Sequence, residues 1–156
     1  MTKPFSIKQI IGIAILVIFV LGVGYLKMRE YLLPTAIIRI AGQTLKVDLA
    51  QTPLAWKKGL SGRKNLKEGR GMLFVFSETK RHAIWMKDMN FPIDIIWIKA
   101  GQVVDIMPEA PPAVPGDKNP PVYLPREDAG GVLEVRAGFS QKYSLKIGEL
   151  VELIKK

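Results

Sequence analysis

Between Lys8 and Lys27 the chain runs QIIGIAILVIFVLGVGYL, 18 residues without a charge, and this stretch limits the possible folds more than any other. As a helix rising 1.5 Å per residue it is roughly 27 Å long, close to the thickness of bilayer hydrocarbon. A buried core helix that is apolar on every face would need more surrounding structure than a chain of 156 residues can supply. The stretch therefore reads as an uncleaved membrane anchor through residues 9–26, with flanks that fill 1–32. The rival is a cleaved signal peptide. Its apolar stretch would normally be about 7–15 residues, and only Gly22 and Gly24 before Tyr25 offer a weak cleavage site. Lys3 and Lys8 precede the span while Lys27, Arg29 and Arg39 come after it, so positive charge alone does not orient it.

The remaining residues, 33–156, are enough for one domain and too few for two. The whole chain carries 23 Lys+Arg and 14 Asp+Glu; the first 30 residues hold four and one of these, which leaves 19 against 13. Much of the excess sits in Lys57, Lys58, Arg63, Lys64, Lys67 and Arg70, opposed only by Glu68. A solvated basic face is the plain reading, and Lys57, Lys58, Arg63 and Lys64 are the candidates for contact with anionic lipid headgroups beside an anchor. No nucleic-acid partner is expected, because no aromatic interleaving, zinc spacing or basic heptad accompanies the charge. With no Cys and with His82 as the single histidine, disulfides, thiolate nucleophiles and thiolate or multi-histidine metal sites are excluded. Neither a metal nor an organic cofactor is expected.

The pattern after Leu33-Pro34 is one of short strands. Thr35–Ile40 is β-branched and apolar, and Thr44–Leu49 alternates Leu45, Val47 and Leu49 with Thr44, Lys46 and Asp48. Ala41-Gly42-Gln43 suits a hairpin turn between them. Thr52 before Pro53 is a helix start, with the helix running to about Leu60. Met72–Phe76 and Ile93–Ile98 are apolar runs suited to strands buried on both faces, and Gly101-Gln102 turns the second into Val103–Met107. Seven prolines between Pro108 and Pro125 mark a long irregular loop. Val132–Val135, one or two helical turns in Gly138–Lys146, and a final strand Leu150–Ile154 complete the chain. About eight short strands predict a compact, mainly β (α+β) domain, an antiparallel barrel or sandwich with two short helices behind one transmembrane helix.

Several blocks in order are distinctive: Ala55-Trp56-Lys57-Lys58-Gly59-Leu60-Ser61-Gly62-Arg63, Gly71-Met72-Leu73-Phe74-Val75-Phe76, Ile84-Trp85-Met86-Lys87 and Pro92-Ile93-Asp94-Ile95. Gly101-Gln102-Val103-Val104, Ala110-Pro111-Pro112, Val132-Leu133-Glu134-Val135, Ala137-Gly138 and Ile147-Gly148-Glu149-Leu150-Val151 continue the series. Over residues 44–153 the chain resembles the domain of unknown function family numbered 192. The resemblance implies a compact, mainly β domain, often behind a signal or anchor in bacterial and archaeal proteins, and it implies no established reaction. Relatives commonly carry Asn-Thr where this chain has Asp88-Met89, and the cysteine pair of some relatives is missing from the proline-rich loop.

Trp85, Lys87, Asp88 and Asp94 flank the turn Met89-Asn90-Phe91-Pro92 and form the strongest polar constellation. Strand alternation puts Trp85 and Lys87 on one face, and a Lys87–Asp94 meeting across the turn is expected. This is read either as an ion pair or turn-capping carboxylate, or as a pocket in which Lys87 holds an anion beside Trp85 while Asp94 orients the amine. Tyr123 in the long loop is a further recognition candidate. Met72, Met86, Met89 and Met107 are expected to pack the core rather than to ligate copper(I). The expected function is a membrane-tethered, extracytoplasmic, non-catalytic module that binds a small ligand, an envelope component or an envelope protein. The alternative is an envelope enzyme acting on a polar substrate with Lys87 and Asp94 as its acid–base pair. A purely structural partner of the anchor is a third class, in which changes at Lys87 and Asp94 affect stability alone.

Overall fold

The computed structural model describes residues 6–30, 33–114 and 116–155, in two units that divide at Leu33/Pro34. The first is helix α1, Ile7–Glu30, one turn longer at its C-terminal end than the uncharged run. Ser6 opens it with a reciprocal cap: Gln9 N donates to Ser6 Oγ at 3.3 Å, and Ser6 N donates to Gln9 Oε1 at 2.8 Å. Residues Ile7–Gly24 have a mean hydropathy of 2.4 and are unburied, which makes α1 long and apolar enough to be a membrane anchor or a signal sequence.

The second unit is built on one seven-stranded sheet. Its strands are β1 (Thr35–Ile40), β2 (Gln43–Ala50), β3 (Arg70–Lys80), β5 (Ile93–Lys99), β6 (Gln102–Ala110), β8 (Ala129–Arg136) and β9 (Glu152–Lys155), in the order β6-β5-β8-β3-β2-β1-β9. Two hairpins share the same chemistry. Ala41-Gly42 and Ala100-Gly101 both adopt positive φ at their two central residues, 48° and 70° in the first and 48° and 77° in the second. That backbone matches the right-handed twist of the flanking strands.

One expectation needs correction: the sheet is mixed, not antiparallel throughout. β2 and β3 pair in parallel, Val47 opposite Gly71 and Leu49 opposite Leu73. Parallel neighbours need a crossover, and residues 51–69 supply it together with helix α2, Pro53–Lys58. Thr52 caps that helix by accepting from Ala55 N at 3.2 Å, with proline in the first turn. The two ends of the sheet order are also tied. Val103 N donates to Glu149 O at 2.9 Å and Gly148 N to Val103 O at 2.7 Å, so the segment before β9 bonds to the start of β6.

Both faces of the sheet are covered. On one, Ile38, Ile40, Leu45, Val47, Ile96, Leu133 and Val135 pack with Leu145 and with Phe139 of helix α3 (Phe139–Lys142). Gly71 sits between Val47 and Val135, where a Cβ would fall 3.3 Å from each side chain and 2.9 Å from Glu134 O, so this crowding leaves room for glycine alone. On the other face, register aligns Asp48, Met72, Glu134, Ile95 and Met107 across β2, β3, β8, β5 and β6. Met72, Met86 and Met89 are buried among the apolar side chains, as expected for gap-filling core residues. The proline-rich stretch is shorter than expected at its start, because β6 runs through Pro108 to Ala110. Pro108 is tolerated there because β6 is a terminal strand of the ladder. At its end the stretch contributes β7 (Val122–Tyr123), which pairs with β4 (Ile84–Trp85) in a separate two-stranded sheet.

Candidate functional site

The distinctive blocks of the sequence meet in space. The loop after α2 and the loop after β4 are laced by three hydrogen bonds: Ser61 Oγ donates to Lys87 O at 2.7 Å, Gly62 N to Asp88 O at 2.8 Å, and Asn90 Nδ2 to Arg63 O at 2.9 Å. Asp88 takes part through its carbonyl, in a left-handed conformation with φ 55° that a short polar side chain tolerates. The lacing holds α2 over β3, and Gly59 allows the approach: its φ is 48°, and a Cβ there would meet the Phe74 ring at 3.3 Å.

Beneath this lacing lies a cavity of about 280 Å³, at the small end of the range for ligand pockets. Its wall is aromatic, with Trp56 from α2, Phe74 and Phe76 from β3 and Trp85 from β4. Trp56 is oriented by Nε1 donating to Ala50 O at 2.9 Å, and its ring lies 5.2 Å from that of Phe76. Phe76 is backed by His82, stacked at 3.6 Å between centroids. His82 is thus a packed residue, held also by a 2.8 Å hydrogen bond between its Nε2 and Glu78 O. Lys57, Lys58 and Ser61 also line the cavity. Lys87 stands by the exposed Trp85, with Nζ 5.5 Å from the ring centroid, a cation–π arrangement.

Glu134 lines the same cavity and is 4% exposed. Among the described residues, its Oε2 is the buried side-chain polar atom without a hydrogen-bond partner. Burial pushes the Glu134 carboxyl up to about 8, and the Arg63 guanidinium opposes the shift without cancelling it. Arg63 cannot approach freely, because its guanidinium is bound to Asp48 at 2.8 Å, and Arg70 takes the other oxygen of that carboxylate at 2.9 Å. A neutral carboxyl in an aromatic pocket can donate one hydrogen bond and accept others, a combination suited to recognition and to proton transfer. Sequence reading overlooked Glu134. The available signal was an acidic residue inside the apolar block Val132-Leu133-Glu134-Val135, at the centre of a sheet buried on both faces.

The expected Lys87–Asp94 meeting is not what the fold builds. Asp94 is fully buried, and its carboxylate is surrounded by donors: Oδ1 accepts from Glu109 N at 2.9 Å and Gly138 N at 3.0 Å, and Oδ2 from Ser140 N at 2.7 Å and Ser140 Oγ at 2.5 Å. Its register partner is Val135, so it points to the opposite face of the sheet from Glu134. It acts as a clamp on the β6 end and the α3 turn, the turn-capping role with different amides from those anticipated. Trp85 lines the cavity with Lys87 beside its ring, while Tyr123 sits half-buried opposite Ile84 in the small sheet. Of the lipid-contact candidates, Lys57, Lys58 and Lys64 are exposed and Arg63 is half-buried against Asp48. Among the described residues no three His, Cys, Asp or Glu side chains gather to hold a metal ion.

Two solved structures resemble this chain. One, from Sinorhizobium meliloti 1021 and provisionally described as a transcription regulator, is 30% identical, with a TM-score of 0.68 over 78% of this chain and 95% of its own. The other, a protein of unknown function from Novosphingobium aromaticivorans DSM 12444, is 28% identical, with a TM-score of 0.63 over 76% of this chain and 83% of its own. No curated protein matches. Residues 36–153 match the family model DUF192, described as Uncharacterized ACR, and the chain belongs to that family.

Proposed function

We propose that this protein is a membrane-tethered, extracytoplasmic binding module whose ligand enters the aromatic cavity over Glu134. The observation that carries the reading is the unpartnered Glu134 Oε2 in the lining of that cavity. A buried polar atom left unpaired costs about 1–3 kcal/mol, a cost that a bound ligand relieves. Trp56 and Trp85 add large, rigid contact surfaces of the kind that anchor small ligands. The apolar α1 supports the tether, and the basic Lys57, Lys58 and Lys64 suit a position near anionic headgroups. The regulator description of the Sinorhizobium protein stays with that protein.

The acid–base reading with Lys87 and Asp94 finds no support in the geometry, since the Asp94 oxygens are occupied by Glu109, Gly138 and Ser140. The elevated Glu134 carboxyl favours a different second reading, an enzyme that uses it as a general acid or base. Native mass spectrometry of the full chain, purified in mild detergent from its own host, distinguishes these. A co-purified small molecule, lost in Trp85→Ala and unchanged in mass on standing, supports the binding module, whereas its conversion over time supports the enzyme. An unliganded wild type that takes up nothing from a host small-molecule extract sinks both. Carbonate extraction and protease added to intact spheroplasts test the tether, which predicts a membrane-retained chain whose soluble unit is digested.

A further inference from the structure

The pocket's charge distribution says more about the ligand than its size. Its lining residues include one acid, the buried Glu134, and two lysines, Lys57 and Lys58, of the exposed last turn of α2. Lys87 adds a third cation outside the Trp85 ring. We infer that the pocket takes a small planar organic anion: its acidic group meets the lysines at the mouth, its apolar body lies against the aromatic wall, and a hydrogen-bonding group reaches Glu134. This inference rests on the proposed binding function and names the class of ligand.

Several observations favour an anion over an amine. An amine would gain from Glu134 only if that carboxyl ionised, and burial holds it protonated up to about pH 8. On the way in, an amine would also meet the cations Lys57, which lines the pocket, and Lys87, which stands by the Trp85 ring. For an anion the same groups work in the other direction. The protonated Glu134 repels nothing and donates a hydrogen bond, while the lysines attract. The groups that face Glu134 agree with this. Its strand neighbours Met72 and Ile95 are uncharged, and the charged group that acts on it is Arg63 from the loop after α2, which Asp48 on β2 holds. The cavity of about 280 Å³ suits a single ring with short substituents.

The test uses four probes that share one ring: 4-hydroxybenzoate, benzoate, phenol and tyramine. Each is titrated into the full-length chain in neutral detergent at pH 6.5, with the tryptophan indole N–H resonances as readout. The expected result is that 4-hydroxybenzoate moves the Trp56 and Trp85 resonances and binds at least tenfold tighter than tyramine and about fivefold tighter than benzoate. Lys57→Ala combined with Lys87→Ala should bring its affinity down towards that of phenol. Glu134→Gln, an isosteric change that keeps a donor, should retain most of the hydroxyl preference, whereas Glu134→Leu should abolish it; circular dichroism checks both for folding. Tyramine binding as tightly as 4-hydroxybenzoate, or an affinity indifferent to the two lysines, overturns the anionic class and leaves the pocket standing. Indole resonances unmoved by all four probes overturn the pocket as well.

Discussion

Asp94 and Glu134 are both buried acids on adjacent central strands, and the fold treats them in opposite ways. Asp94 faces the α3 side and receives four hydrogen bonds from Glu109, Gly138 and Ser140. Glu134 faces the α2 side, where Oε2 receives none. The first arrangement converts a buried charge into a clamp that holds three chain segments together. The second keeps a carboxyl neutral and leaves the hydrogen-bonding capacity of its Oε2 unused. A structural acid is recognised by the donors that surround it, and a candidate site by an acid whose donors are missing.

The largest effect that would sharpen this contrast is the pH dependence of folding. The Glu134 carboxyl is raised in the folded state from 4.5 to about 8. The folded state therefore binds the proton more tightly than the unfolded chain does. Its contribution is complete below about pH 4.5, declines as pH rises towards 8, and is gone above that value. The span is on the order of 5 kcal/mol. Urea denaturation from pH 5 to 9 should show stability falling in the wild type relative to Glu134→Gln, and equal slopes would remove the case for a neutral buried carboxyl.

Breaking the other half of the comparison should cost nearly as much. Asp94→Ala strands three backbone amides and the Ser140 hydroxyl, and a loss of about 3 kcal/mol or more is expected in the same denaturation experiment. Asp94→Asn should fall between that variant and the wild type. A loss below about 1 kcal/mol for Asp94→Ala would mean that the four hydrogen bonds are not a clamp.

Asp105 provides a smaller, intermediate case. Burial would raise its carboxyl, but the Arg126 side chain and the amides of Arg126 and Ile106 outweigh this and hold it below the ordinary value. This stabilisation is present above the unfolded value of 3.8 and is lost as pH falls through the lower folded value. Thermal melts of Arg126→Ala should therefore differ most from wild type near neutral pH and converge with it in strong acid. The smallest effect should come from Lys87→Ala. Its ammonium stands 5.5 Å from the ring centroid of the exposed Trp85, so Tm should shift by about 2 °C or less. A much larger drop would give Lys87 a structural role like that of Asp94.

Local chemistry was legible in the residues. Ala41-Gly42-Gln43 and Gly101-Gln102 located two hairpins, Thr52-Pro53 located α2, and strand alternation separated the apolar row of β2. Pattern also identified Met72, Met86 and Met89 as packed, because gap-filling is what such residues do in a core. The candidate site was half legible. Trp85 lines the cavity with Lys87 beside its ring, but the expected partner of Lys87, Asp94, lies on the opposite face, and Glu134 was passed over inside an apolar block.

Alternation along a strand says which residues share a face, and turn residues say where the chain reverses, because both depend on neighbours a few positions away. The sequence by itself thus determined the apolar helix, the short strands, the hairpins, the net positive charge and the exclusion of cysteine chemistry. Only the tertiary structure decided that β3 pairs in parallel with β2, that β8 lies between β3 and β5, and that α2 covers one side of Glu134 while α3 donates to Asp94. Those are relations between segments tens of residues apart, and the free energy that chooses among them comes from packing and hydrogen bonding of the assembled sheet.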